Sequence, residues 1–295
     1  MQGSIFLEAA HYHIMPGRRE PVKPRDRYIT YHDDLYRSTG EPLELQSLLT
    51  GDQYTHVELA DTLFERVGEA ILPHLDVMVT SDWVPEFDPE FSAFGPYLHH
   101  RWSLTCQSFD VTDQGSIAPV LALNVLKDYL LADAESQTGL VLGVEQSTVP
   151  QGIEAHFPGP QKSSVGAVRL SKNRTHAAAE ILTTAFFPET QVIEPTFSVQ
   201  GLLKQWCEQF SLDRSTVTLA IRRNTYLYRK LCYWQELETD APSRLCFLPA
   251  QYSCMTLFDW LTRYCADEPR YGNECLFIDE DVESLAAAAA LIRRL

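Results

Sequence analysis

Apolar residues recur at Leu59, Leu63, Val67, Ile71 and Leu75, a stripe of period near 3.6 that predicts an amphipathic helix over residues 57–75. Thr55 or Asp52 stands where an N-cap is wanted. LDVMVTS follows (75–81), a continuous apolar run of strand length, as in sheets covered by helices on both faces. QSFDV (107–111) reads as a buried strand. SIAPVLALNVLKDYLLA (116–132) reads as a helix with Pro119 in its first turn, where the missing N–H is tolerated. TGLVLGVEQS (138–147) and SVGAVRLS (164–171) read as strands.

Further on, GLLKQWCEQFSL (201–212), NTYLYRKLCYWQEL (224–237) and YSCMTLFDWLTRYC (252–265) predict helices, and TVTLAIRR (216–223) a strand. LELQSLL (43–49) is a short helical pattern, and PGRREPVKPRDR (16–27) a polar loop. HAAAEILTTAF (176–186) reads as irregular. ECLFIDEDVESLAAAAALIRR (274–294) predicts two strands joined by a turn, although the run Ala286–Ala290 would also suit a helix. Strands alternating with helices indicate a layered α/β fold. Both halves carry similar sequences of elements, which suggests an internal duplication.

The chain has 295 residues, enough for a large core, and a net charge of −16, which opposes binding to nucleic acid or an anionic membrane. No N-terminal signal-peptide pattern is present, and no stretch reads as approaching the ~18 apolar residues needed to cross a bilayer. Seven cysteines in irregular spacing, without a CxxC pair, argue against structural zinc or a disulfide framework and suit a reducing cytoplasm. The pairs His11-x-His13 and His99-His100 lack a shared helix face and read as surface residues rather than metal ligands. No cofactor is expected. His156 and His176 read as loop histidines.

The candidate chemistry lies in FDVTDQGSIAPVLALNVLKDYL (109–130), a strand, a polar turn and a helix, the arrangement in which several enzyme folds place a nucleophile. Here the turn holds Thr112, Asp113, Gln114, Gly115 and Ser116, and no cysteine. Ser116 could be a nucleophile if a base stood beside it, or a serine that caps the helix. Asp113 could serve as that base or as a cap.

This segment, together with LDVMVTSDWVPEFDPEFSAFGPYL, GLVLGVEQS, QKSSVGAVRLS, YSCMTLFDWL and CLFIDEDVESLAAAAAL in that order, resembles the β-ketoacyl-ACP synthase III family of the thiolase fold. The resemblance implies a thiolase-like αβαβα layered fold of two related halves, residues 1–172 and 173–295. It also implies a cysteine thiolate at a helix N-terminus, with a later histidine and asparagine that stabilise the enolate or oxyanion. The positions that match are degenerate. The cysteine position falls on Gly115, or on Ser116; the histidine position falls on Arg222 and the asparagine position on Gln251. No histidine lies beyond His176. Glycine-rich turns of the family are replaced by Ser164 and Val165 in one place and by Glu280 and Asp281 in another.

In the resembling family the segment 83–94 lies at the dimer interface, which implies partner contact by Trp83, Pro85, Phe87, Phe91 and Phe94. The DxTD-type turn without cysteine is similar to that of the non-catalytic small subunits of heterodimeric condensing enzymes, as in 2-alkyl-4-quinolone synthesis. The resemblance therefore implies a non-catalytic subunit in specialised metabolism. Its partner would be a catalytically complete synthase III-like subunit that binds acyl-CoA or acyl-ACP. Two other readings stand beside it: a homodimeric acyltransferase using Ser116, and a homodimeric acyl-binding protein without chemistry.

Overall fold

A computed structural model describes residues 4–295 apart from 18–24, 39, 85, 89, 91–92, 152–159, 236–243, 250, 252, 267, 269–270 and 282. Up to residue 171 the chain forms β1 (Ile5–Ile14), α1 (Asp26–Ser38), α2 (His56–Ile71), β2 (Val77–Asp82), α3 (Phe94–Arg101), β3 (Gln107–Val111), α4 (Ala118–Ala132), β4 (Thr138–Glu145) and β5 (Ser164–Ser171). It continues with β6 (Ala179–Phe187), the single turn α5 (Glu189–Val192), α6 (Val199–Phe210), β7 (Thr218–Arg222) and α7 (Tyr226–Gln235). β8 (Arg244–Leu248), α8 (Thr256–Cys265), β9 (Glu274–Glu280) and β10 (Ala287–Arg294) complete it. LELQSLL folds as a 3-10 turn over Leu45–Leu49.

Thr55 opens α2 with a capping box: its hydroxyl accepts the Glu58 N–H at 3.1 Å, and the Glu58 carboxylate accepts the Thr55 N–H at 2.9 Å. Asp52 is used elsewhere. Its buried carboxylate accepts the Ser147 hydroxyl at 2.7 Å and the Ser163 N–H at 2.9 Å.

The strands form one sheet in the order β3-β2-β4-β5-β1-β6-β10-β9-β7-β8. From its two edges inward, the sheet gives the same sequence twice, each strand of the second set being the fifth after its counterpart. Only three register pairs join the sets, Ile5↔Ile181, Phe6↔Glu180 and Leu7↔Ala179.

The core explains the continuous apolar runs. Val77 and Val79 of β2 face α4 and α8, where Leu123, Leu126, Phe258 and Leu261 lie, while Met78 turns outward to Leu59 and Leu63 of α2. In the second set Phe277, Ala288 and Ala290 face the same central helices. Leu276, Ile278, Ala287 and Ala289 instead meet Leu203 and Trp206 of α6 and Leu227 of α7. Side chains alternate between faces along a strand, so a strand buried on both sides is apolar throughout. The layers are α2 and α3, the first five-strand set, α4 and α8, the second five-strand set, α6 and α7. The alanine run is thus a strand between two helix layers.

Three readings of the sequence need correction. The segment 176–186 is not irregular: it contains β6, the strand next to the seam. A bulge on β6 at Leu182, which has no partner between Leu291↔Thr183 and Ile292↔Ile181, breaks the period of two that would have marked it. β3 is not buried: Gln107–Asp110 are exposed, because β3 is an edge strand paired only with β2. The window Gly115–Ala132 does have the 18-residue length and apolarity of a membrane span. Its place between the two sets of strands accounts for that, with Val120, Leu123, Leu126 and Leu130 buried. All seven cysteines are free.

Candidate functional site

The turn between β3 and α4 carries two left-handed residues, Asp113 at φ 57° and Gly115 at φ 58°. Aspartate tolerates that conformation by bonding locally, and glycine adopts it freely. At Gly115 there is a second constraint. A Cβ there would stand 1.8 Å from Oδ1 of Asp281. The space a cysteine side chain would need holds a carboxylate.

That carboxylate is buried and fully engaged. Its Oδ1 accepts the Ser116 N–H at 3.1 Å; its Oδ2 accepts the Ser284 N–H at 2.9 Å and hydroxyl at 2.8 Å. The Ser116 hydroxyl, only 3% exposed, donates to the Glu280 carbonyl at 3.4 Å. It therefore does not cap α4; the capping expectation fails because the 3-10 turn Gly115–Ile117 places Ile117 at the N-cap. Asp113 is exposed at the mouth of the turn. Cys106 precedes β3, at the strand end away from this turn.

Arg222, at the end of β7, is fully buried. Its Nε and Nη2 grip Asp279 at 2.9 and 2.7 Å, Nη2 also reaches the Thr256 hydroxyl at 2.9 Å, and Nη1 donates to the carbonyls of Pro249, at 2.6 Å, and Gln251. All five guanidinium donors are consumed. Gln251 contributes its backbone, while its residue surface is exposed. Glu280 accepts the N–H groups of Tyr226 and Leu227 at 2.9 and 2.7 Å, holding the start of α7. Burial pushes its carboxyl above the ordinary range, while those N–H groups pull the other way.

The four positions Gly115, Ser116, Arg222 and Gln251 therefore do not share one site. A cavity of about 660 Å3 opens beside Gly115, and one of about 580 Å3 is lined by Gln251. Arg222 and Ser116 line neither. The acidic run Asp279–Asp281 ties the positions together, each acid serving a different backbone or side-chain partner.

Of the segment 83–94, Trp83, Phe87 and Phe94 are 6%, 7% and 9% exposed within their own chain. Trp83 joins the central core, and the Phe94 ring meets that of His56 edge-on. These three are spent on the fold rather than projecting from it. Pro85, Phe91 and His156 lie outside the described residues. His176 is exposed. His13 Nε2 lies 3.2 Å from Arg66 Nη1, and His99 Nδ1 lies 3.0 Å from the Leu104 carbonyl. Among the described residues no group of three or more His, Cys, Asp or Glu could hold a metal ion.

The structure adds titratable groups that the sequence did not mark. Asp82, at the end of β2, is pushed up to about 7 by burial and by Asp113 and Asp110. Glu86, accepting the His56 N–H at 2.5 Å, is pushed up to about 7 by burial, and His56 is pushed down to about 4 by burial. Glu145 closes β4 and accepts the Ser253 hydroxyl at 2.6 Å and the Cys254 N–H at 2.8 Å. Burial raises the Cys254 thiol well above its usual range, so it is inert. Single acids at strand ends carry no sequence pattern that could have revealed them.

No family model matches this sequence, and no curated protein matches it. Solved structures do. A single-site variant of OleA from Xanthomonas campestris is 10% identical with a TM-score of 0.63, over 99% of each chain. AbyA1, a tetronic acid condensing enzyme, is 14% identical with a TM-score of 0.60, over 98% of this chain and 99% of that one. The 3-oxoacyl-[acyl-carrier-protein] synthase III from Aquifex aeolicus VF5 is 14% identical with a TM-score of 0.57, over the same shares. With its layered order, repeated strand sequence and near-complete overlap, the chain has the thiolase-like fold of the synthase III-type condensing enzymes.

Proposed function

We propose that this chain is a non-catalytic subunit of a heterodimeric condensing enzyme of the synthase III type. Its partner would be a catalytically complete subunit that binds the acyl-CoA or acyl-ACP, in a specialised metabolic pathway of the cytoplasm. The observation that carries this reading is the Asp281 carboxylate lodged where a nucleophile's Cβ would stand at Gly115. A thiolate at this turn needs volume, a helix N–H and no neighbouring anion. Asp281 removes all three. The oxyanion side is lost as well, since Arg222 has no free donor and is out of reach of both cavities. Loss of a single oxyanion donor typically costs ~100- to 1000-fold in rate.

The surface supports the subunit role. β3 leaves one edge unpaired, and beside it Phe109, Val125 and Leu131 are 39%, 40% and 38% exposed. An open edge with apolar neighbours is a pairing site. We assign the partner contact to this edge and to α4, rather than to Trp83, Phe87 and Phe94. A net charge of −16 disfavours a phosphate-bearing thioester on this chain and leaves that task to the partner. We further propose that residues 1–172 and 173–295 are the two related halves, on the repeated strand order.

The test is capture of the tagged chain from its native host, read by native mass spectrometry. A 1:1 or 2:2 complex with a subunit carrying cysteine, histidine and asparagine is the expected result. A homodimer alone would overturn it. An acyl adduct on Ser116 after incubation of the isolated chain with acyl-CoA would restore the acyltransferase reading.

A further inference from the structure

The cavity beside Gly115 is enclosed by α1, the end of β2, the turn before α4 and the turn after β9. Its volume of about 660 Å3 lies in the range of small-molecule sites. Tyr31, Tyr36, Trp83, Val149, Ile117 and Phe186 form its apolar walls. Tyr31, Leu35 and Phe186 are 50%, 47% and 42% exposed and form an apolar mouth.

Its charged groups have one sign. Glu86, Asp113, Glu189, Asp281 and Glu283 line it, and no Lys or Arg does among the described residues. Asp281 and Glu86 are already held by N–H donors, but Asp113, Glu189 and Glu283 are exposed at the rim. Deeper in, His32 is 3% exposed; its Nε2 lies 2.6 Å from the Phe87 carbonyl and its Nδ1 has no hydrogen-bond partner. Burial lowers the His32 pKa, so the ring is neutral at pH 7. With Nε2–H donating to the carbonyl, Nδ1 is left as an acceptor. That atom is buried within the wall and does not open into the cavity.

We propose that this cavity binds a small hydrophobic amine, with the apolar body against Trp83 and Phe186 and the ammonium among the rim carboxylates of Asp113, Glu189 and Glu283. Aromatic faces also attract a cation. A free carboxylic acid would place its negative charge against like charges with no compensating Lys or Arg among the described lining residues. The assignment is independent of the heterodimer reading, since it rests on the cavity and not on a partner.

Calorimetric titration of the full chain with three matched probes tests it: 4-phenylbutylamine, 4-phenylbutan-1-ol and 4-phenylbutyrate. The amine should bind tightest, by on the order of tenfold over the acid, with the gap narrowing as salt is raised. The double variant Asp113→Asn/Glu283→Gln should weaken the amine several-fold and leave the alcohol unchanged. Asparagine tolerates the left-handed backbone at position 113, and retained alcohol binding reports an intact cavity. Equal binding of amine and acid, binding of none of the three, or an amine preference that survives the double variant would each overturn the proposal.

Discussion

Asp281 Oδ1 accepts the backbone N–H of Ser116 at 3.1 Å, so an acid just past β9 closes the turn that opens α4. The reciprocal contact exists in the other direction. Glu145, at the end of β4, accepts the Cys254 N–H at 2.8 Å in the turn that opens α8. β4 and β9 are counterparts in the repeated strand order, as are the strands before α4 and α8. Each set thus uses an acid to hold the central helix of the other. The two turns are locked by buried acids.

Gly115→Ala should destabilise the chain. The new Cβ meets a buried carboxylate at 1.8 Å, and φ 58° disfavours any side chain. Overpacking of this kind costs about 1–3 kcal/mol, readable as a lower midpoint in urea. Asp281→Gly in the same chain should recover part of that loss. An unchanged midpoint for Gly115→Ala would contradict the packing described.

Arg222→Leu should be among the most damaging single changes, because it strands the Asp279 carboxylate, 1% exposed, without its fork. Removing one member of a buried pair costs about 3–5 kcal/mol. The double variant Arg222→Leu/Asp279→Leu should cost less than Arg222→Leu alone. A double-mutant cycle by chemical denaturation measures it, and simple additivity would show that the pair is not coupled.

Asp82 sets a pH dependence whose sign follows from its raised pKa. The folded chain keeps its proton up to about pH 7, whereas the unfolded chain releases it near 3.8. Stability from this group is therefore complete below pH 3.8 and is lost as pH rises to about 7. Glu86 acts in the same direction. His56, lowered to about 4, acts in the opposite one: its contribution is lost as pH falls from 6.5. Asp82→Asn should therefore become more stable relative to the parent as pH rises from 4 to 7, by about 1.4 kcal/mol per unit at most. Denaturation of both proteins across that range tests it; a constant difference would show that Asp82 titrates normally.

Phe109→Lys should leave the isolated chain folded, since that side chain is already 39% exposed. It should weaken partner capture by on the order of tenfold or more, as a charge on an edge strand blocks pairing. Undiminished capture would move the interface away from β3.

The apolar spacing alone determined α2, α4, α6 and α8, the strands buried on both faces, and hence a layered α/β chain. The period of a helix stripe and a doubly buried run are local properties, set by neighbouring residues. The absence of a cysteine from the turn 112–116 and of any histidine beyond His176 was equally plain. β6 was hidden because its bulge at Leu182 interrupts the alternation, and β1 carries a similar irregularity between Leu7 and Ala9. The exposure of β3 was hidden because Phe109 and Val111 read the same at an edge as in a centre; only the order of strands places them. What fills the space beside Gly115 was decided by tertiary structure alone. Gly115 and Asp281 are 166 residues apart, and a carboxylate filling a missing side chain's space is a contact between distant segments. No periodicity records such a contact, because burial and hydrogen bonding, not neighbouring sequence, select it.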